Sequence, residues 1–127
     1  MAQAHSPFVT LQPENIALAA GATQTVIMGD PSKPGMYVVQ NVFEPGRLSR
    51  PHFHDQDRYI TVVKGTWRVA MGADGDTFNP DKMVPMKAGS FVFHPAFGHH
   101  YDGAKDDIAV VRIVGMGPIA TELLEKP

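Results

Sequence analysis

The chain contains no cysteine. Disulfides, thiolate ligands and a cysteine nucleophile are therefore excluded, and His, Asp and Glu remain as the strong metal ligands. No apolar run approaches the roughly 18 to 20 residues of a membrane helix, so no membrane partner is expected. A basic block is missing too. Lys and Arg number 11 against 13 Asp and Glu, for a formal net charge of -2. Phosphate binding needs clustered cations, so nucleic acid is not an expected partner. Convincing helices are scarce, with one short turn expected over Pro13 to Ala20 and another over Ile119 to Glu125.

What is present fits one globular domain. The length of 127 residues matches a single unit able to bury a core unaided. Twelve Gly and eleven Pro punctuate short apolar runs, which predicts an all-β sandwich or barrel. The expected strands are Thr25–Met28, Met36–Phe43, Tyr59–Lys64, Thr66–Met71, Ser90–Phe93 and Ile108–Val114, several of them rich in Val, Ile, Tyr and Phe. Lys64-Gly65 is expected to join two of them as a tight turn. Residues 73–76 and 79–81 read as loops. An N-terminal arm of about 1–24, a barrel over 25–118 and a tail over 119–127 complete the division. Met1 to Pro7 is too short and polar for a signal peptide. Ala2-Gln3-Ala4 has the small-x-small form that precedes a cleavage site. The compartment is therefore cytoplasmic, or periplasmic if an export signal has been trimmed before residue 5.

Six histidines stand at positions 5, 52, 54, 94, 99 and 100. Residues i and i+2 of a strand share a face, so His52 and His54 can converge on one ion. A third ligand must come from elsewhere, and His94–His100 is the other cluster. Each pair alone is a weak signal, because surface histidine pairs are common. Adjacent strand residues face opposite ways, so at most one of His99 and His100 points inward.

The spacing around these residues resembles the two motifs of the cupin superfamily. Gly46, His52, His54 and Gly65 keep the first motif's spacing: Gly, five residues, His-x-His, three residues, an acid, six residues, Gly. Gly89, Pro95 and His100 match the second, with Phe97 in place of a glycine and Ala104 in place of the usual Asn. The flanks, residues 29–35 and 102–106, look like a group of small bacterial single-domain cupins. The resemblance implies a single-domain cupin β-barrel, that is, a double-stranded β-helix or jelly roll. It also implies one divalent transition metal ion, Fe, Mn, Zn, Ni or Cu, on His52, His54 and His100.

One departure from the pattern changes the expected chemistry. The acidic ligand position holds Arg58, which stays protonated and offers no lone pair. Three neutral imidazoles would leave the ion its full charge and open coordination positions. A guanidinium beside a dication needs an anion. Asp55 or Asp57 is the structural candidate, and a substrate carboxylate or enolate the functional one. Alternation places Arg58 on the inward face with Ile60 and Val62.

His94 alternates with Ser90 and Val92. It is a general acid or base if that face lines the cavity, and a surface histidine otherwise. His99 is expected to orient its loop, and Tyr101 to be packing. Trp67, Phe91, Phe93 and Phe97 would line an apolar pocket or a dimer face. The expected function is a metal-dependent enzyme, of dioxygenase or lyase type, that chelates a small organic substrate, with an anion among the options. The alternative is a non-catalytic module binding a metal or small ligand. A structural metal site ranks last, because such sites are usually closed by four ligands. Exposed sheet edges make a homodimer the default assembly.

Overall fold

The computed structural model describes residues 5–18 and 22–125. Nine strands follow in chain order: β1 Gln24–Met28, β2 Gly35–Phe43, β3 His52–His54, β4 Arg58–Met71, β5 Val84–Lys87, β6 Phe91–His94, β7 His100–Gly103, β8 Ala109–Gly117 and β9 Thr121–Leu123. The pairing order is β1-β2-β8-β4-β7-β3-β9, with β5 and β6 also on β4. All pairs are antiparallel. The sheet curls through β4, whose first half pairs with β6 and β8 and whose second half pairs with β5 and β7.

That long strand corrects the expected Lys64-Gly65 turn. The chain runs straight on, and the register against β8 slips between Val62 and Lys64. Gly65 adopts φ +72°, and a Cβ there would collide with the Ile108 carbonyl. The bulge at Val63 and the glycine just past it together lead one strand from one sheet into the other. The Ile119–Glu125 turn is corrected as well. Residues 121–123 form β9, which covers the edge of β3 in the register His52↔Leu123, Phe53↔Glu122 and His54↔Thr121. An open edge offers unpaired N–H and C=O groups, and that demand outweighs weak local helix preference. Pro13–Asn15 does form one short 3-10 turn. The end of that expected turn, Ala19-Ala20, and Ala2-Gln3-Ala4 lie outside the described residues.

Alternation decides what is inside. Tyr37, Val39, Phe43, Ile60, Val62, Trp67, Val69, Val92, Ala109, Val111 and Ile113 are buried in one core between the two sheets. Trp67 is 1% exposed, and its truncation to Ala would cost roughly 3–5 kcal/mol. Tyr101 points to the opposite face of β7. There it packs with Ala70 and Met83, beside Phe78 and Leu48, and its hydroxyl bonds both to and from the Asn79 backbone. It is packing, as expected. Among the described residues no helix is long and apolar enough to cross a membrane.

Candidate metal centre

His52 and His54 sit on the inward face of β3, and His100 lies directly opposite His52 on β7. All three are buried, at 9%, 7% and 3% exposure. One ring nitrogen from each lies within 4.8 Å of the others. The sequence-predicted triad therefore converges. His99 faces away, its Nδ1 2.6 Å from Asp76 Oδ1 and its ring stacked on Phe53.

The hydrogen bonds orient each ring. His52 Nδ1 donates to the Arg50 carbonyl at 2.7 Å, and His100 Nδ1 donates to the Gly98 carbonyl at 3.0 Å. Arg58 Nη1 donates to His54 Nε2 at 3.0 Å, so His54 carries its proton on Nδ1, against Thr121 Oγ1 at 2.9 Å. Each Nε2 is thus the lone-pair atom. Partners that fix the far nitrogen are what a ligating imidazole requires. The donor set and tautomers fit a divalent transition metal, although Arg58 occupies the lone pair of one ligand. Burial, then the Arg58 guanidinium, pushes His54 down to about 3. Burial and the His52 ring likewise hold His100 well below the usual histidine range.

The expected pairing of Arg58 with Asp55 or Asp57 is not found. Asp57 accepts the Ala96 N–H at 2.7 Å, and Asp55 accepts the Ala120 N–H at 2.8 Å. Both carboxylates pin loops that flank the site, and among the described residues no carboxylate forms an ion pair with Arg58. Arg58 does share the inward face with Ile60 and Val62, as alternation predicts.

His94 faces inward. Its ring lies 4.0 Å from that of His100 and 5.8 Å from Trp67, and neither of its nitrogens has a partner. Burial, then the His100 imidazole, lowers it to about 3 against the pull of Asp102. Of the four aromatics set aside for a pocket or dimer face, Trp67 lines the cavity, while Phe91, Phe93 and Phe97 are 59%, 43% and 63% exposed. Phe97 has φ +67° where the cupin motif has glycine, and its N–H donates to the His54 carbonyl at 2.7 Å. The bend, not the residue type, is what the site uses.

Three further residues join the site without having been singled out. Thr121 on β9 holds His54. Asp102, two residues past His100, takes hydrogen bonds from Ser49 and Trp67 and lines the cavity. The i+2 spacing from His100 was its only signal in the sequence. Tyr37 also lines the cavity, and nothing in the sequence set it apart from its apolar neighbours. The cavity encloses about 460 Å³.

No protein-family model matches the chain, and no curated protein matches it. Solved structures do. A cupin-like protein of Thermotoga maritima is 20% identical, with 76% of this chain and 72% of that one covered and a TM-score of 0.62. The polyketide cyclase RemF of Streptomyces resistomycificus is 13% identical over 94% and 89%, with a TM-score of 0.70. The DMSP lyase DddQ of Ruegeria pomeroyi is 15% identical over 90% of this chain, with a TM-score of 0.65, and this chain spans 59% of its length. The chain has the cupin fold, a double-stranded β-helix, with a three-histidine cluster inside it.

Proposed function

We propose that this chain is a metal-dependent cupin enzyme acting on a small organic substrate by chelation, with lyase- or dioxygenase-type chemistry. The observation that carries the reading is the triad His52, His54 and His100, three buried imidazoles with one ring nitrogen from each within 4.8 Å of the others. These residues would hold one divalent ion, of Fe, Mn, Zn, Ni or Cu, in a single cupin domain. A bound ion supplies Lewis acidity and open positions for substrate oxygen atoms. His94, buried beside His100 with no partner on either nitrogen, would be the group that hydrogen-bonds a guest and holds or moves its proton. Arg58 supplies positive charge at the same place. A polyketide cyclase and a DMSP lyase are built on this fold, so the fold hosts enzymes.

Elemental analysis of protein purified without a His tag from its own host tests the metal and names it. Stoichiometric metal that disappears in His52→Ala is expected, and full metal content in that variant would sink the proposal. Oxygen uptake or product formation with diketones, thiols or phenols then tests turnover. The second reading is a non-catalytic binding module. It is supported by the unpartnered groups of the cavity, which would serve retention equally well. A small molecule held tightly with no turnover, aerobically or anaerobically, would favour it.

We also propose a homodimer. Its support is an apolar outer row, Met28, Val38, Val114, Tyr59 and Phe93, in register across five strands. A monomer in sedimentation would refute it.

A further inference from the structure

We propose that Tyr37, Arg58 and His94 form one wall of the cavity that receives the carboxylate of a small, partly apolar organic acid. We propose further that Arg58 is released for this task when the lone pair of His54 is taken by a metal. The inference rests on the metal reading above.

Strand register carries the first half. Tyr37 pairs with Gly115, Gly115 with Arg58, and Arg58 with His94, so the four form one cross-strand row over β2, β8, β4 and β6. Tyr37, Arg58 and His94 all line the cavity. Among the described residues five buried side-chain polar atoms lack a partner. Four are on this row: Tyr37 Oη, Arg58 Nε and both nitrogens of His94. An unpaired buried polar atom is costly, so native structures hold few, scattered unless something else satisfies them. Four on one row mark a place prepared for a guest.

The chemistry of the row identifies the guest. A phenol, a guanidinium and a neutral imidazole are rich in donors, and no carboxylate pairs with Arg58. A planar carboxylate is the partner a guanidinium fork best matches. Gly115 keeps the middle of the row free of a side chain, since a Cβ there would lie 2.6 Å from Tyr37 Oη. Val39, Ile60, Ile113 and Trp67 supply apolar lining in the same cavity, so the rest of the acid is apolar.

The second half follows from one hydrogen bond. Arg58 Nη1 donates to His54 Nε2, the atom a ligating His54 must present. Arg58 and a metal cannot share that lone pair. Once it is taken, Arg58 is a free cation beside a dication, with Asp102 as the nearby carboxylate lining the cavity. An incoming organic anion relieves that excess charge. Metal and acid therefore bind cooperatively, and each tightens the other by the same factor.

The test uses tag-free protein, zinc titration by calorimetry, and the fluorescence of Trp67, the single tryptophan, which lines the cavity. The probes are α-ketoisovalerate and its neutral methyl ester. The keto acid is expected to bind the zinc form about tenfold or more tighter than the zinc-free form, and about tenfold or more tighter than the ester binds, the scale of a hydrogen-bonded charge. Arg58→Met is expected to tighten zinc and weaken the keto acid, two changes of opposite sign that a merely structural role would not produce. Tyr37→Phe removes one unpartnered oxygen with little loss of packing. It should weaken the keto acid and leave zinc unchanged, and it carries the test if Arg58→Met does not fold. If zinc does not bind, the metal reading falls and this one with it. If zinc binds but the keto acid does not, binds no better than the ester, or binds either variant as well as the wild type, this proposal alone is overturned.

Discussion

Two walls of one cavity carry imidazoles, and they are finished differently. On the β3–β7 wall each ring has its Nδ1 bound, to the Arg50 carbonyl, to Thr121 Oγ1 or to the Gly98 carbonyl. On the wall that runs from β2 through β8 and β4 to β6, Tyr37 Oη, Arg58 Nε and both nitrogens of His94 have no partner. A ring tied on its far side is aimed before any guest arrives, which lowers the entropy lost on binding. A group left bare within the protein is stable only as part of something that arrives later. The first wall is built like a set of fixed ligands, and the second like a receptor.

The largest expected effect breaks the first wall. His52→Ala removes one of three clustered imidazoles and should weaken metal binding roughly hundredfold or more, beyond the range for losing an orienting partner. Calorimetric titration of tag-free protein would show it. A large effect common to both walls is expected with pH. His54 and His94 are held near 3 by burial, below the ordinary 6.5. In the unfolded chain both take protons as pH falls below about 6.5, while in the folded protein these two rings take none until about 3. At these two rings the unfolded state therefore binds more protons throughout that window, and their contribution makes the stability of the metal-free protein fall across it as pH drops. Urea unfolding at several pH values would measure the slope, and a flat profile would contradict the burial of these rings.

Smaller changes sharpen the contrast. Gly115→Ala pushes a methyl against Tyr37 Oη and should cost about 1–3 kcal/mol of stability while leaving metal affinity intact, because the strain falls on the second wall. Denaturant unfolding paired with zinc titration reads both quantities. The smallest effect is expected for Thr121→Val, which removes the partner of His54 Nδ1 but keeps the shape. Metal affinity should drop about tenfold with stability little changed. If Thr121→Val instead left affinity untouched, the orienting role of β9 would be lost.

Much of the first wall was legible in the chain. His-x-His on a strand puts two imidazoles on one face whatever surrounds them, and the Pro95-to-His100 turn aims the third. The second wall was half legible. Alternation placed Arg58 inward with Ile60 and Val62, but whether Ser90, Val92 and His94 faced in or out depended on which side of β6 met the core. Asp55 and Asp57 looked like partners for Arg58 because they are near in sequence, yet each accepts a backbone N–H from a distant loop. Lys64-Gly65 looked like a turn because glycine at positive φ serves turns and bulges alike, and the difference lies in the partner strand.

The sequence by itself determined the period-two alternation, the all-β class and the shared face of His52 and His54, because each depends on spacings of a few residues within one strand or loop; His100 joined them only through the resemblance to the cupin motifs. Only the tertiary structure decided that Tyr37 and His94 flank Arg58, that Thr121 holds His54, and that Arg58 rests on a would-be ligand. Those are matters of register between strands up to about 80 residues apart in sequence, from Tyr37 to Gly115. Register is set by how whole faces bury together, since a slip of one residue would turn every inward side chain outward.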